Sequence, residues 1–565
     1  GRPLIEFDVL IVGGGGAGMR AAMEAAKTGG ISIGLLSKTS PLRSTTGCTG
    51  GGMNAFLPEN QTGDSLEQYA SDTIAGSGFL ADWDAVRFFV EQSADAIAEM
   101  DGYGVPFFRS PDGLIAQRKG GGASFPRVCL THGHSIAHSM YEQLLRCHVT
   151  ELSGHCLLEL VVIDGTVNGV ISYDSKTGEV VPIAAKAVVI ATGGYSRIYW
   201  SRTTTPFGST GDGIAACLNA GIAFKDPEFV QFHPTALAET GILISEGARS
   251  EGGRLFNGLG ERFMARYAPE KMELATRDLV SFAIEKEISE GRGCGQGLQA
   301  HVMLDLRHLG EKIIRERLAQ VYQTAVKFAG VDPLTEMIPI RPASHFVMGG
   351  IDVVDYRTCA TSVNGVFAAG ECASVSIHGA NRLGGNALTE LLVFGKAAGN
   401  SAAHYAQAHQ LPDQEAVSKA AVRWHFQDSD KNTQHSYQQL VNIRSRIAAV
   451  MWNKAGIIRN ETGMTEALAE LKELQENYDS VMVRPSGRKG DLEFIHYVEI
   501  GNMLAVAQAV VMAALLRRES RGGHCRTDFP ELDDQFAKHS LVSRTNGVMS
   551  VEYRALNQFQ LSGGR

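Results

Sequence analysis

Residues 370–399 read GECASVSIHGANRLGGNALTELLVFGKAAG, and three local signals follow one another in this run. Gly370 closes an apolar segment, Val366-Phe367-Ala368-Ala369, with the length and branching of a buried strand. Glu371 then sets a carboxylate at the strand end, where a ribose hydroxyl needs an acceptor. His378-Gly379-Ala380-Asn381-Arg382 puts two large polar groups into a loop of small residues. Gly384-Gly385-Asn386 leads into Ala387–Ala398, which has helical spacing and only Gly395 as an interior breaker. A strand, a glycine loop and a helix N-terminus, here opening at Ala387 and Leu388, make a site for an anion or a dinucleotide. An ordinary surface turn is the competing reading, but two glycines beside an Arg are costly unless something large must approach the backbone.

The same grammar opens the chain. Phe7–Val12 reads as a buried parallel strand and runs into Gly13-Gly14-Gly15-Gly16-Ala17-Gly18, followed by a helix from Met19 to Ala26. GxGxxG between a strand and a helix is a strong signal: Gly13 turns, Gly15 and Gly16-Ala17 admit pyrophosphate, and Gly18 lets the helix pack closely. The second strand, Ile31–Leu36, ends in Ser37-Lys38, where NAD enzymes carry an acidic residue, so the expected cofactor is FAD. Residues 40–57 are small, hydroxylated and glycine-rich, the composition of backbone folded against a flat ring, with Ser44, Thr45, Thr46, Gly51 and Gly52 as expected contacts. A second strand-to-glycine turn, Ala187 to Gly194, returns Thr192 and Gly193 to the same ligand. In Thr210-Gly211-Asp212-Gly213, Asp212 is set to cap a helix or hold a cofactor hydroxyl.

Composition narrows the classes of function. The 565 residues are 44% hydrophobic and 20% charged, as in a globular protein of several domains. The 64 glycines exceed the usual share of roughly 7% and cluster in loops, favouring nucleotide turns over fibrous repeats. A formal charge of -9 argues against a nucleic-acid partner. No apolar run is expected to reach the roughly 20 residues of a membrane span, and no signal peptide is expected. The nine cysteines are dispersed without a CxxC, so no zinc or iron–sulfur ligand set is expected and a reducing compartment is.

Along the chain, residues 64–100 read as helices and 104–122 as a loop or hairpin. Short β-rich runs from Leu157 to Ile190 alternate with turn residues, as in a meander inserted in the nucleotide domain. The expected class is α/β: a Rossmann-like FAD-binding domain (1–234 and 350–402), an inserted α+β capping domain (235–349), a helical domain (403–518) and a loop-rich C-terminal extension (519–565). Residues 463–478 and 499–518 are the clearest helices of the helical part.

Four polar groups fall at the seams: His233, Glu246 with Arg249, Arg277-Asp278, and His345. Singly, each is more often structural than functional; their positions at domain borders, with Arg382 in the glycine loop, raise their interest. In order, the chain carries GGGGAG, GVPFFRSPDGLIAQR, ATGG, TGDG, QFHPT, SEGARSEGG, TRD, HFVMGG, HGANRLGGNALTELLVFG and ESRGGHCRTDFPELDD. With these motifs it resembles, over roughly its whole length, the flavoprotein subunits of succinate dehydrogenases and fumarate reductases.

That resemblance implies FAD-dependent interconversion of fumarate and succinate, with hydride exchanged at flavin N5. It implies a C4 dicarboxylate held by His233, Ser245, Glu246, His345 and Arg382, with Phe107 nearby. Arg277 matches the proton-transfer residue, Glu246 and Arg249 its route to solvent, and Asp278 and Glu246 are the carboxylates that would ease its deprotonation. An iron–sulfur partner subunit is implied, with membrane-anchor subunits reached through it, hence a cytoplasmic chain peripheral to the membrane. One departure matters: many members attach FAD through the His of an RSHT segment, and here the residues are Arg43-Ser44-Thr45-Thr46. Non-covalent FAD is therefore expected, with Cys48 the other conceivable attachment point, and a lower potential that favours fumarate reduction. The succinate-oxidising direction, L-aspartate oxidase, and a flavin electron-transfer subunit without dicarboxylate chemistry stand as alternatives; Arg382-Leu383-Gly384-Gly385-Asn386 keeps the respiratory form of the loop.

Overall fold

A computed structural model describes residues 4–424 and 436–560. Residues 1–3 of the expected FAD-binding domain, 425–435 of the helical domain and 561–565 of the extension lie outside the described residues.

The chain starts with β1 (Ile5–Val12), the glycine turn, α1 (Gly16–Ala26) and β2 (Ile33–Ser37). Helices Leu66–Gly76 and Trp83–Gly102 follow, as their apolar spacing predicts. Then come β3 (Thr150–Ser153), β4 (His155–Ile163), β5 (Thr166–Asp174) and β6 (Glu179–Ile190). Next are β7 (Val230–Leu237), α2 (Arg277–Ser289), β8 (Ile338–Val347) and β9 (Val366–Ala368). The chain closes with α3 (Asn386–Ala408), α4 (Glu493–Leu516) and the hairpin β10 (Lys538–Thr545) and β11 (Val548–Ala555).

The largest sheet runs β3-β2-β1-β6-β5-β4, with β9 pairing β6. β1 pairs parallel with β2 and β6, and β9 parallel with β6, in a register that aligns Val12, Leu36, Ile190 and Ala368. Their carboxyl ends therefore share one edge, and Gly13, Lys38, Thr192 and Glu371 all leave the sheet there, the edge where open α/β sheets bind ligands. The meander expected over 157–190 is no separate insertion: β6 is its last strand and also the neighbour of β1.

α1 and α3 cross closely over this sheet. A Cβ on Gly399 would stand 2.1 Å from Ala21 O, so glycine at this helix position is what lets the two backbones approach. α3 runs ten residues past the end of its sequence signal, because the approach to α1 overrides the cost of the glycines in its interior. The boundary expected after 402 consequently falls inside a continuous helix.

A second, four-stranded antiparallel sheet joins β7, β8, Val302–Asp305 and Arg254–Phe256, in that order. It has its own core, in which Leu237, Leu255, Val280, Ile284 and Ile340 are buried. The boundary expected after 234 falls within β7, so this strand belongs to both the site and the second core. The C-terminal region is less loop-like than its composition suggested: β10 and β11 complete a five-stranded sheet, and His539 on β10 is buried between Asp82 and Asp226.

α4 is long and apolar enough to cross a membrane, contrary to the expectation that no run reaches that length; 67% of its apolar window is buried inside the protein. It packs against the helices Ser436–Ala455 and Glu461–Ser480.

Candidate active site

β7 and β8 pair directly, His233 opposite Ala343, and bring the imidazoles of His233 and His345 to 5.4 Å, edge to face. The Thr235 N–H donates to Nδ1 of His233 at 3.2 Å, and Nδ1 of His345 lies 2.7 Å from the Thr204 hydroxyl. Burial first, then the Arg277 charge, hold His233 well below its ordinary range; for His345 it is burial, then Arg382 and Arg277. Both rings are thus neutral at pH 7.

Arg277 is the first residue of α2, whose N-cap is the hydroxyl of Thr276, accepting from Leu279 N–H. Its Nη2 donates to Oε2 of Glu246 at 2.9 Å, and Arg249 Nη2 reaches Oε1 of the same carboxylate at 3.4 Å. Burial pushes the Glu246 pKa up, and the two guanidiniums more than offset it, so the group is ionised. Arg249 is buried, donates to Glu273 O at 3.0 Å, and keeps an Nε without a partner among the described residues. Asp278 was the other carboxylate expected to serve Arg277, but it makes no bond to that guanidinium and lines a different cavity. Successive residues of a helix point about 100° apart, which separates the two side chains.

Arg382 comes from the glycine loop. Its Nη2 donates to Oε1 of Gln231 at 2.9 Å, its Cζ lies 4.5 Å above the ring of Phe346, and its Nε has no partner among the described residues. Burial, then Arg277, bring its pKa down to about 10, which leaves it charged. Gln231 holds the loop in return, donating to Asn381 Oδ1 and Arg382 O at 2.9 and 3.0 Å. His378 fixes the same loop to α3 through a 2.6 Å contact with Glu390. Ser245 follows Ile244, whose carbonyl accepts from the Thr235 hydroxyl at 2.7 Å, and so sits beside β7. Phe107 is buried in the main core.

Three guanidiniums, two neutral imidazoles and one ionised carboxylate therefore influence one another in one place. Such a set can hold a dianion: fixed N–H groups would donate to its carboxylates, and the net positive field favours an anion. Gln231 and Thr204 were missed by sequence reasoning. Gln231 lies two residues before His233, on the same face of a strand, which is a usable signal; Thr204 in a run of threonines offers none.

The cofactor residues gather at the shared sheet edge. Gly13 has φ +116°, and a Cβ there would sit 2.0 Å from Ala191 O, so the two glycine turns touch. Thr46 Oγ1 accepts from Gly16 N–H at 3.1 Å, and the Gly213 N–H donates to Thr192 Oγ1 at 3.2 Å. Ser44 Oγ is buried without a partner among the described residues, close to Gly15 at the start of α1. Glu371 accepts from Val347 N–H at 3.1 Å, and burial pushes its pKa up to about 7. An orphaned hydroxyl, a helix N-terminus and a strand-end carboxyl fit a pyrophosphate-linked flavin. Ser37, by contrast, donates its hydroxyl to Thr39 O. Lys38 and Asp212 bind each other at 2.7 Å, and Lys38 also binds Glu499 of α4 at 2.6 Å. The N-cap of the Asp212–Asn219 helix is Gly211, so Asp212 is not the cap.

Residues 8–388 match the FAD binding domain family, and residues 444–562 match the family described as fumarate reductase flavoprotein C-term. The chain is 41% identical to the 8-methylmenaquinol:fumarate reductase flavoprotein subunit of Wolinella succinogenes, over 98% of this chain and 92% of that one. It is 38% identical to the succinate dehydrogenase flavoprotein subunit of Rickettsia bellii, over 99% and 96%. It is also 38% identical to the fumarate reductase flavoprotein subunit of Mycobacterium tuberculosis, over 97% of each. Among solved structures, a variant of E. coli quinol fumarate reductase FrdA superposes with a TM-score of 0.91 at 36% identity, covering 100% of this chain and 99% of that one.

Proposed function

The chain belongs to the flavoprotein subunits of fumarate reductases and succinate dehydrogenases, FAD-dependent oxidoreductases that interconvert fumarate and succinate, and from that premise we propose that it works chiefly as a fumarate reductase with non-covalent FAD. The observation that carries the site reading is the Arg277–Glu246 pair opposite His233, His345 and Arg382.

In this reading Arg382, His345, His233 and Ser245 hold the two carboxylates of a C4 dicarboxylate. Arg382 offers two N–H groups in a fixed fork, each charged hydrogen bond contributing about 1.5–3 kcal/mol. The neutral imidazoles donate without adding charge that a dianion would bind too tightly to release. The glycine turns at Gly13 and Thr192, with Ser44 and Glu371, would hold FAD, which when bound would supply the hydride at N5.

The remaining chemistry is a proton delivered to the carbon adjacent to the one that takes the hydride. Arg277 gives that proton from its guanidinium, and Glu246 with Arg249 returns one from solvent. A free guanidinium has a pKa above roughly 12 and is a poor acid. Here Glu246 accepts from Arg277 Nη2 at 2.9 Å and from Arg249 Nη2 at 3.4 Å, which gives a proton a hydrogen-bonded path back to Arg277. Asp278 has no part in this relay.

The direction rests on Thr45. An alkylated flavin is a better oxidant than free FAD, so a chain without the attaching His favours electron flow toward fumarate. Single electrons must reach the flavin from a donor, and the nine cysteines here are all free thiols at separate positions. An iron–sulfur partner subunit, which also carries the chain to a membrane face, fits that need.

The test is the purified native complex with reduced dye and fumarate, set against succinate and oxidised dye. Fumarate reduction faster than succinate oxidation supports the reading. Oxidation of L-aspartate without fumarate–succinate turnover overturns it, and so does full activity of this polypeptide alone with its physiological donor.

A further inference from the structure

β7 and α2 form a wall shared by two spaces. His233 and Arg277 belong to the dicarboxylate side, whereas Phe232 and Asp278, each one residue away, line a separate cavity of about 360 Å³. The segment Ser520–Cys525 and Leu532 border it as well. Its size lies within the roughly 300–1,000 Å³ of small-molecule sites.

Phe232, Leu279, Phe282 and Ile457 give the cavity an apolar wall, and Asp278 and Ser281 are polar groups in it without partners among the described residues. Asp278 stands one residue into α2, exposed at the mouth of the cavity, and makes no hydrogen bond or ion pair among the described residues. Ser281, one helical turn on, is 1% exposed, and its hydroxyl has no partner among the described residues. Residues three apart on a helix are neighbours, roughly 5–6 Å between Cβ atoms, so the carboxylate and the hydroxyl can serve one ligand. The other charged groups bordering the cavity are already engaged. Arg521 donates to both Glu519 oxygens, at 2.8 and 3.0 Å, and to Gly78 O at 2.7 Å; His524 meets Arg517 O and Arg459 at 2.9 Å each.

We propose that this cavity binds a small primary ammonium with an apolar body. The ammonium has three donors and no acceptor, matching an ionised carboxylate and a hydroxyl oxygen that lacks a donor. Its apolar part lies against Phe232 and Phe282, whose rings also favour a nearby cation. Other ligand classes fit less well. A carboxylate ligand meets the charge of Asp278, a neutral alcohol offers that charge one donor where an ammonium offers three, and a divalent ion would find a single carboxylate where it needs six or more oxygen ligands. The proposal is independent of the direction of the dicarboxylate reaction.

Benzylammonium is the probe, titrated calorimetrically into the FAD-loaded protein, with benzyl alcohol as the neutral isostere. Saturable binding of one molecule per chain is expected, at least tenfold tighter than benzyl alcohol and at least tenfold weaker in Asp278→Asn. Leu532→Trp, at the cavity border, should weaken it by obstruction, and Ser281→Ala by loss of one acceptor. Cys525, in the same wall, gives a local readout: saturating probe should slow its modification by methyl methanethiosulfonate, followed by peptide mass, at least threefold. Absence of saturable binding up to ~10 mM, where less than about 3 kcal/mol remains, overturns the proposal. Equal binding by benzyl alcohol, or by the Leu532→Trp variant, or unchanged Cys525 labelling, overturns it too.

Discussion

The Arg277 guanidinium donates to Glu246 at 2.9 Å although the two residues lie 31 positions apart, while the carboxylate next to it in sequence, Asp278, faces elsewhere. Among the described residues Glu246 is the one carboxylate hydrogen-bonded to Arg277, and against its burial Arg277 first, then Arg249, hold it ionised.

From this pairing, Arg277→Gln should lower fumarate turnover roughly 10²–10⁴-fold, the range of a lost general acid, while fumarate still binds and perturbs the flavin spectrum. Arg277→Lys should not restore it, because an ammonium lacks the fork that spans Glu246 and the substrate carbon. If Arg277 only tied α2 to Glu246, Lys would recover most of the activity; near-normal turnover in Arg277→Gln would remove the proton-transfer role.

Arg382 should fail in a different way. Arg382→Lys keeps the charge but loses the planar fork and its stacking on Phe346, so dicarboxylate binding weakens along with turnover. Loss of one charged hydrogen bond, about 1.5–3 kcal/mol, corresponds to a Kd raised roughly 10–150-fold. Flavin-monitored titration with fumarate measures it. A Kd unchanged from wild type would show that Arg382 does not hold the substrate.

These assignments were open to sequence reading to different degrees, for a physical reason. The turns at Gly13, Thr192 and Gly370 could be read because a glycine between an apolar strand and a helix states a backbone requirement locally. Lys38 and Asp212 could be located at the cofactor edge but not understood: Lys38 is bound to Glu499, 461 residues away, and no local pattern encodes that partner. The same holds for Gln231, which steadies Arg382 across 151 positions. Helix α3 outran its signal because the contact that rewards Gly395 and Gly399 comes from α1. The borders expected after 234 and 402 fell inside a strand and a helix because composition changes where the surroundings change, not where an element ends.

The attachment of FAD can be tested without activity. Denaturing the holoprotein in acid should leave the yellow colour in the supernatant, since Thr45 offers no nucleophilic ring nitrogen where the attaching His stands in the RSHT form. Flavin fluorescence that migrates with the unfolded polypeptide on a gel would contradict this and would direct attention to Cys48, an exposed thiol at the end of the short helix that begins at Thr45.

The last prediction concerns stability at alkaline pH, and it follows from His539. Its Nδ1 meets Asp226 at 2.6 Å and its Nε2 meets Asp82 at 3.0 Å, so the β10–β11 hairpin is pinned to both residues by one buried imidazolium. Burial alone would push its pKa down; Asp226 and then Asp82 outweigh burial and bring it up to about 9. In the unfolded chain the value is about 6.5, so the folded state binds the proton more tightly. The stabilisation is complete below about pH 6.5 and is lost as pH rises through about 9. At roughly 1.4 kcal/mol per unit, the two-carboxylate pocket contributes on the order of 3 kcal/mol at low pH. His539→Gln keeps polar atoms in the cavity and cannot take the proton. Wild type should therefore lose more thermal stability between pH 7 and pH 10 than His539→Gln, whose curve should be lower at pH 7 and flatter. Parallel curves for the two proteins would mean that His539 is neutral in the folded state and that the hairpin is held by its other contacts.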